Sequence, residues 1–152
     1  MPEQRRVRAR YPARPSRVRE ARRQAACAAR RWGLDAASSA ALVLVVSELV
    51  TNAVTHARTP PGRQVEVTLT REEAAVRVAV RDADPTPPTP RRPTADAEGG
   101  RGLLLVAHLS RRWGVEQLVV GKTVWAEVPL TGAPPLPRPP GDGDRSASGA
   151  PG

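Results

Sequence analysis

Between Leu42 and Ala57 the chain reads LVLVVSELVTNAVTHA, with Leu42, Val45, Val46, Leu49, Ala53, Val54 and Ala57 at helical spacing. The pattern predicts one long, mostly buried helix, capped at Asp35, running to about Arg58 and stopped by Thr59-Pro60-Pro61-Gly62. Upstream, Ser16 is the expected N-cap of a helix from Arg17 to Trp32 that ends at Gly33. Val18, Ala21, Ala25, Trp32 and one of Ala28 or Ala29 form its apolar face, and arginines cover the other. Strict alternation takes over from Gln64 to Thr70, with Val65, Val67 and Leu69 on one side, and again from Ala74 to Arg81. Arg71-Glu72-Glu73 makes the turn between these two strands. Leu103 to Arg111 reads as an apolar helix, Trp113 to about Val120 as a further strand, and Val124 to Leu130 as the last one, after a turn at Gly121. VRARYPA, near the N-terminus, alternates as a short edge strand limited by Pro12. A hairpin packed on two helices gives an α/β two-layer sandwich, of α+β type.

Polar residues that interrupt these patterns are the candidates for chemistry. Glu48 and Asn52 are four apart, and Thr55 and His56 follow a turn later, so all four lie near one stripe of the long helix. A carboxylate and a carboxamide are costly to bury without partners, so something polar lies against that stripe. It is either neighbouring backbone or a ligand. Asp82 stands where a strand opens into a loop, in the sequence Arg81-Asp82-Ala83-Asp84-Pro85. It is either a turn aspartate or a ligand reader. Residues 85–98 are proline-rich and aperiodic, a linker or a mobile lid. Gly99-Gly100-Arg101-Gly102 then opens into a helix, and such a turn presents free N–H groups and the positive end of the dipole to an anion. Lys122-Thr123 is not the end of a phosphate-binding P-loop. Glu116 stands where that motif needs glycine, and a strand follows instead of a helix.

Composition narrows the classes. With 152 residues the chain has room for one ordinary domain. It divides into a basic arm at 1–15, a domain at 16–130, and a Pro/Gly-rich tail at 131–152 with no apolar pattern, which is expected to be disordered. No run approaches the roughly 18 apolar residues of a membrane span, and no signal-like apolar region follows the N-terminus, so a cytoplasmic location is expected. The lone Cys27 excludes an internal disulfide and the usual zinc clusters, and reads as a small packed residue. The net charge of +9 is almost all arginine, and eleven arginines lie between Arg5 and Arg31. That field serves an acidic partner, nucleic acid, or nothing beyond solubility. The absence of Phe, with one Tyr and three Trp, leaves few stacking platforms and argues against single-stranded nucleic acid.

The wording SELVTNAVTHA, followed in order by Asp82 and by GGRGL, resembles the Bergerat-fold ATP-binding proteins. Within them it looks like the anti-sigma-factor serine/threonine kinases and their small actinobacterial relatives. The resemblance covers roughly residues 10 to 130. It implies a mostly antiparallel mixed sheet covered on one face by helices, with ATP and Mg²⁺ as ligands. It implies that Asn52 holds Mg²⁺ against the phosphates and that Glu48 is the base for an attacking serine hydroxyl. Asp82 would accept the adenine amino group. Gly100, Arg101, Gly102 and Leu103 would form the glycine box at the phosphates, and Thr123 would contact adenine. Residues 85–98 would be the ATP lid. His56 and His108 fall within these elements and are expected to pack or cap. The chain departs from the family in having D-A-D-P-T where D-x-G-x-G is usual, and Glu98 where a basic lid residue is expected. The implied partners are a sigma factor, an anti-anti-sigma antagonist, or both, and a second copy in a homodimer. The alternative is a non-catalytic module that sequesters its partner with a degenerate nucleotide site.

Overall fold

The computed structural model describes residues 5–56, 63–82 and 98–131. Residues 85–97 of the expected lid and the expected disordered tail beyond Thr131 lie outside the described residues. The elements are β1 (Arg6–Pro12), α1 (Val18–Arg31), α2 (Ala36–His56), β2 (Gln64–Arg71), β3 (Ala75–Asp82), α3 (Glu98–Leu109), β4 (Arg112–Gln117) and β5 (Lys122–Pro129). The strands form one sheet in the order β1-β2-β3-β5-β4. All four pairings are antiparallel.

Strand alternation sorts the sheet into two faces. Tyr11, Val65, Val67, Leu69, Val76, Val78, Val80, Val124, Ala126 and Val128 are buried on one of them, against Leu42, Val45, Val46, Leu49 and Val50 of α2. Each such Val or Leu contributes about 1.5–3 kcal/mol by leaving water, so this layer is the main source of stability. Four small residues, Ala21, Ala25, Ala28 and Ala29, let α1 lie close on α2. The Tyr11 hydroxyl donates to Gln24 Oε1, tying β1 to α1. Burial, with a smaller contribution from Glu20, pushes the Tyr11 phenol up.

Asp35 caps α2 as expected, accepting the Ser38 N–H at 2.7 Å, and that bond holds its carboxyl below the usual range. Ser16 does not cap α1. It lies inside a single 3-10 turn, Pro15–Arg17, so α1 starts at Val18, with Arg17 at the cap position and no side-chain bond there. Cys27 is exposed and not packed, because the buried stripe of α1 runs through positions 21, 25, 28 and 29 and misses it. The Ala36–Thr55 stretch of α2 is long and apolar enough to cross a membrane, contrary to the expectation that no stretch would be. Here it is the central core helix, with both a sheet and α1 against it.

β4 is shorter than its sequence suggested, while β5 starts two residues earlier than expected, at Lys122. β4 ends at Gln117, and Leu118 N–H closes a turn on Gly121 O at 3.0 Å, with Gly121 at φ +83°. β4 crosses Trp125 at Gly114, where any Cβ would lie 2.9 Å from the indole ring. Arg77 stacks over the same indole, 4.6 Å from its centroid.

Candidate functional site

Helical periodicity sets Glu48 and Asn52 one turn apart on the same stripe of α2, and both are half-buried. The first turn of α3 meets that stripe. Gly102 is buried, and a Cβ there would overlap Glu48 Oε2 and lie 3.5 Å from Glu48 Cδ and 3.9 Å from Asn52 Nδ2. Only glycine lets the two helices approach without displacing the carboxylate. Leu103 and Val106, both buried, anchor the rest of α3 to the core side.

The glycine box was expected as a turn ahead of a helix starting at Leu103. The helix instead begins at Glu98, so Gly100, Arg101 and Gly102 lie in its first turns. The chemical consequence survives. The first four N–H groups of a helix have no acceptor within it, and here they belong to the glycine-rich stretch. Backbone amides at the positive end of a dipole are thus brought beside a carboxylate and a carboxamide.

Asp82 ends β3 on the helix-covered face, 4% exposed. The β3–β5 register sets it opposite Lys122, whose Nζ lies 3.9 Å from Asp82 Oδ2, and Lys122 is itself buried. Thr123 pairs with Arg81 and Glu116, so it falls on the opposite face of the sheet from Asp82. The structure therefore groups Asp82 with Lys122. The signal was present in VWAEVPL: Val124, Ala126 and Val128 are buried, and the same parity leads to residue 122. His108 is exposed and so is not a packed residue, while the His56 side chain lies outside the described residues.

Among the described residues no group of three or more His, Cys, Asp or Glu side chains is arranged for a metal. Mg²⁺ bound through nucleotide phosphates needs only one or two protein oxygens, and the Asn52 carboxamide is of the right kind. Two surface depressions lie elsewhere. One is lined by Arg5, Arg6, Arg8 and Thr70, the other by residues of α1 and α2 that include Arg22, Ala26, Val43 and Leu44. Neither touches Glu48, Asn52, Asp82 or Gly102.

Residues 11–128 match the sequence profile of the histidine kinase-like ATPase domain. No curated protein matches the chain. Among solved structures, the RsbU and RsbW domains of Rv1364c from Mycobacterium tuberculosis superpose with a TM-score of 0.62 at 22% identity, over 82% of this chain and 32% of that one. The histidine kinase domain of a blue-light activated histidine kinase from Erythrobacter litoralis gives a TM-score of 0.48 at 26% identity, over 61% and 45% of the two chains. The chain thus spans about a third and under half of the lengths of these two structures.

Proposed function

Because the chain belongs to the histidine kinase-like ATPase domain family, we propose that it is a cytoplasmic ATP-binding regulator that transfers a phosphoryl group to a serine or threonine of an antagonist protein. The observation that carries this reading is the contact at Gly102, which sets the N-terminal turns of α3 against Glu48 and beside Asn52. A site without that approach would have its carboxylate and its anion-binding turn on separate surfaces. The structural likeness to the chain holding the RsbU and RsbW domains agrees with the fold this reading needs.

The residues divide the work as follows. The Asn52 carboxamide oxygen suits Mg²⁺, and the first-turn amides of α3, including those of Gly100 and Arg101, suit phosphate oxygens. Bound Mg·ATP supplies the transferable phosphoryl group and a cation that neutralises charge on it. Glu48 accepts the proton of the incoming hydroxyl at Oε2 and orients its oxygen. Asp82 reads the exocyclic amine of adenine through a charge-assisted hydrogen bond, and its pairing with Lys122 keeps a counter-charge beside it. Such catalysis is mainly positioning and electrostatics, so this short list is chemically sufficient.

The Asp82–Lys122 pair also favours a second reading, a partner-sequestering module with a degenerate nucleotide site, since a buried lysine already engages the base-reading carboxylate. Glu48→Gln separates the two. If transfer occurs, incubation with Mg·[γ-³²P]ATP and the cognate antagonist labels the antagonist with the wild type. The variant keeps nucleotide binding and loses at least about a hundredfold in rate, as for a general base. Full transfer by the variant would remove Glu48 from this role. No labelling by the wild type would favour the second reading.

A further inference from the structure

On the far side of the sheet from α2, strand β1 carries Arg6, Arg8 and Arg10 on one exposed face. β1 is the terminal strand of the sheet, so its second edge has no partner strand among the described residues. The ladder shows which backbone groups face that edge. Arg71 N–H donates to Arg5 O at 2.7 Å, and Ala13 N–H donates to Arg63 O at 2.9 Å. Antiparallel pairs alternate between bonded and non-bonded positions, so residues 5, 7, 9, 11 and 13 direct their backbone groups to β2. Arg6, Arg8 and Arg10 therefore turn their N–H and C=O groups to the open edge. Pro12, with no N–H, ends the row.

We infer that the open edge of β1 binds an extended acidic segment of a partner protein, which adds to the sheet as a sixth strand with carboxylates at alternate positions opposite Arg6, Arg8 and Arg10. The same three residues offer both halves of the recognition, main-chain bonds for affinity and guanidinium groups for specificity. Directly opposed cross-strand residues have Cβ atoms about 5 Å apart, within reach of an Arg–carboxylate pair. The local charge is far from balanced. Arg8 and Arg10 share one carboxylate, Glu66, at 3.8 and 3.0 Å, and remain 55% and 67% exposed. Arg6 faces Thr70, and a depression of about 740 Å³ lined by Arg5, Arg6, Arg8 and Thr70 adjoins it.

A second copy fits this edge poorly. Antiparallel pairing of two β1 strands would set arginine against arginine across the seam, which is the usual way natural edges resist self-association. The charge that excludes a second copy selects an acidic strand. This surface is on the opposite face from Glu48 and Asn52, so the inference does not depend on nucleotide binding.

The test is an NMR titration of the nucleotide-free protein with a seven-residue peptide alternating Glu with Val or Thr. Controls are a peptide of the same composition with its glutamates contiguous, the Lys-for-Glu peptide, and a single-stranded oligonucleotide. The expected result is slower exchange, by at least tenfold, of the Arg6, Arg8 and Arg10 amides with the alternating peptide alone. Arg6→Gln breaks no ion pair among the described residues and should weaken binding severalfold. R6Q/R8Q/R10Q should weaken it at least thirtyfold, with an unchanged circular dichroism spectrum. Equal binding of the contiguous peptide, preference for the oligonucleotide, or protection of these amides by self-association without any peptide would each overturn the inference.

Discussion

Asp82 and Glu127 are both buried carboxylates, and both stand on the β3–β5 ladder, yet their surroundings differ. Glu127, 1% exposed, lies on the face away from α2 and is closed in by guanidinium groups from separate elements. Arg111 and Arg112 donate to its Oε2 at 3.0 and 2.8 Å, Arg77 lies 3.9 Å from Oε1, and Arg111 also reaches Glu72 at 3.6 Å. That arrangement joins the end of α3 to the edge of the sheet. Asp82 instead lies at a strand terminus on the helix side, opposite Lys122, at the end of β3. Burial of charge therefore does not by itself mark a site. A carboxylate enclosed by three arginines is a clamp, whereas one at a strand end opposite a lysine stands where the proposed base-reading role needs it.

The largest effect expected from this contrast is on stability. Glu127→Ala should lose about 3 kcal/mol in urea unfolding, because it strips buried guanidinium hydrogen bonds, while leaving ATP affinity within about threefold. The clamp also has a pH signature. Burial raises the Glu127 pKa, but the hydrogen bonds from Arg112 and Arg111 outweigh it and hold the folded value below the ordinary 4.5. A group depressed on folding contributes stability that is present above its unfolded pKa and is lost as pH falls through the folded one. The stability gap between wild type and Glu127→Gln should therefore be constant near neutrality and shrink below about pH 4.5.

Lys122→Met should cost less, about 1–2 kcal/mol, since its 3.9 Å separation from Asp82 is longer than the hydrogen bonds of the clamp. It should change ATP affinity at least tenfold, measured by calorimetry. An unchanged affinity would mean that Asp82, like Glu127, is structural. Gly102→Ala is expected to have the smallest effect on stability, within about 1 kcal/mol of wild type, because alanine's higher helix propensity offsets a shift of the flexible Glu48 side chain. Its displaced carboxylate should nevertheless abolish phosphoryl transfer, so that stability and activity part company at this position.

The local patterns carried most of the architecture. The valines of β2 and β3, the apolar stripe of α2 and the Asp35 cap are all properties of a few neighbouring residues, and each is found where its spacing placed it. What was hidden depends on pairing between distant segments. The Glu127 clamp draws on residues 77, 111 and 112, which only the sheet register brings together. The same register decides that Lys122, and not Thr123, shares a face with Asp82. The meeting of Gly102 with Glu48 needs a helix–helix contact that neither segment encodes alone. Cys27 was misjudged because an alanine-rich helix offers more small residues than its buried stripe uses.

The central claim, that α2 and the start of α3 form a working Mg·ATP site, is tested most directly by calorimetric titration with ATP and Mg²⁺. Wild type and Asn52→Ala would be compared at equal stability. Saturable, Mg²⁺-dependent binding by the wild type and its loss in the variant are expected, with the fold intact by circular dichroism. Equal binding by both proteins, or none by the wild type, would contradict it.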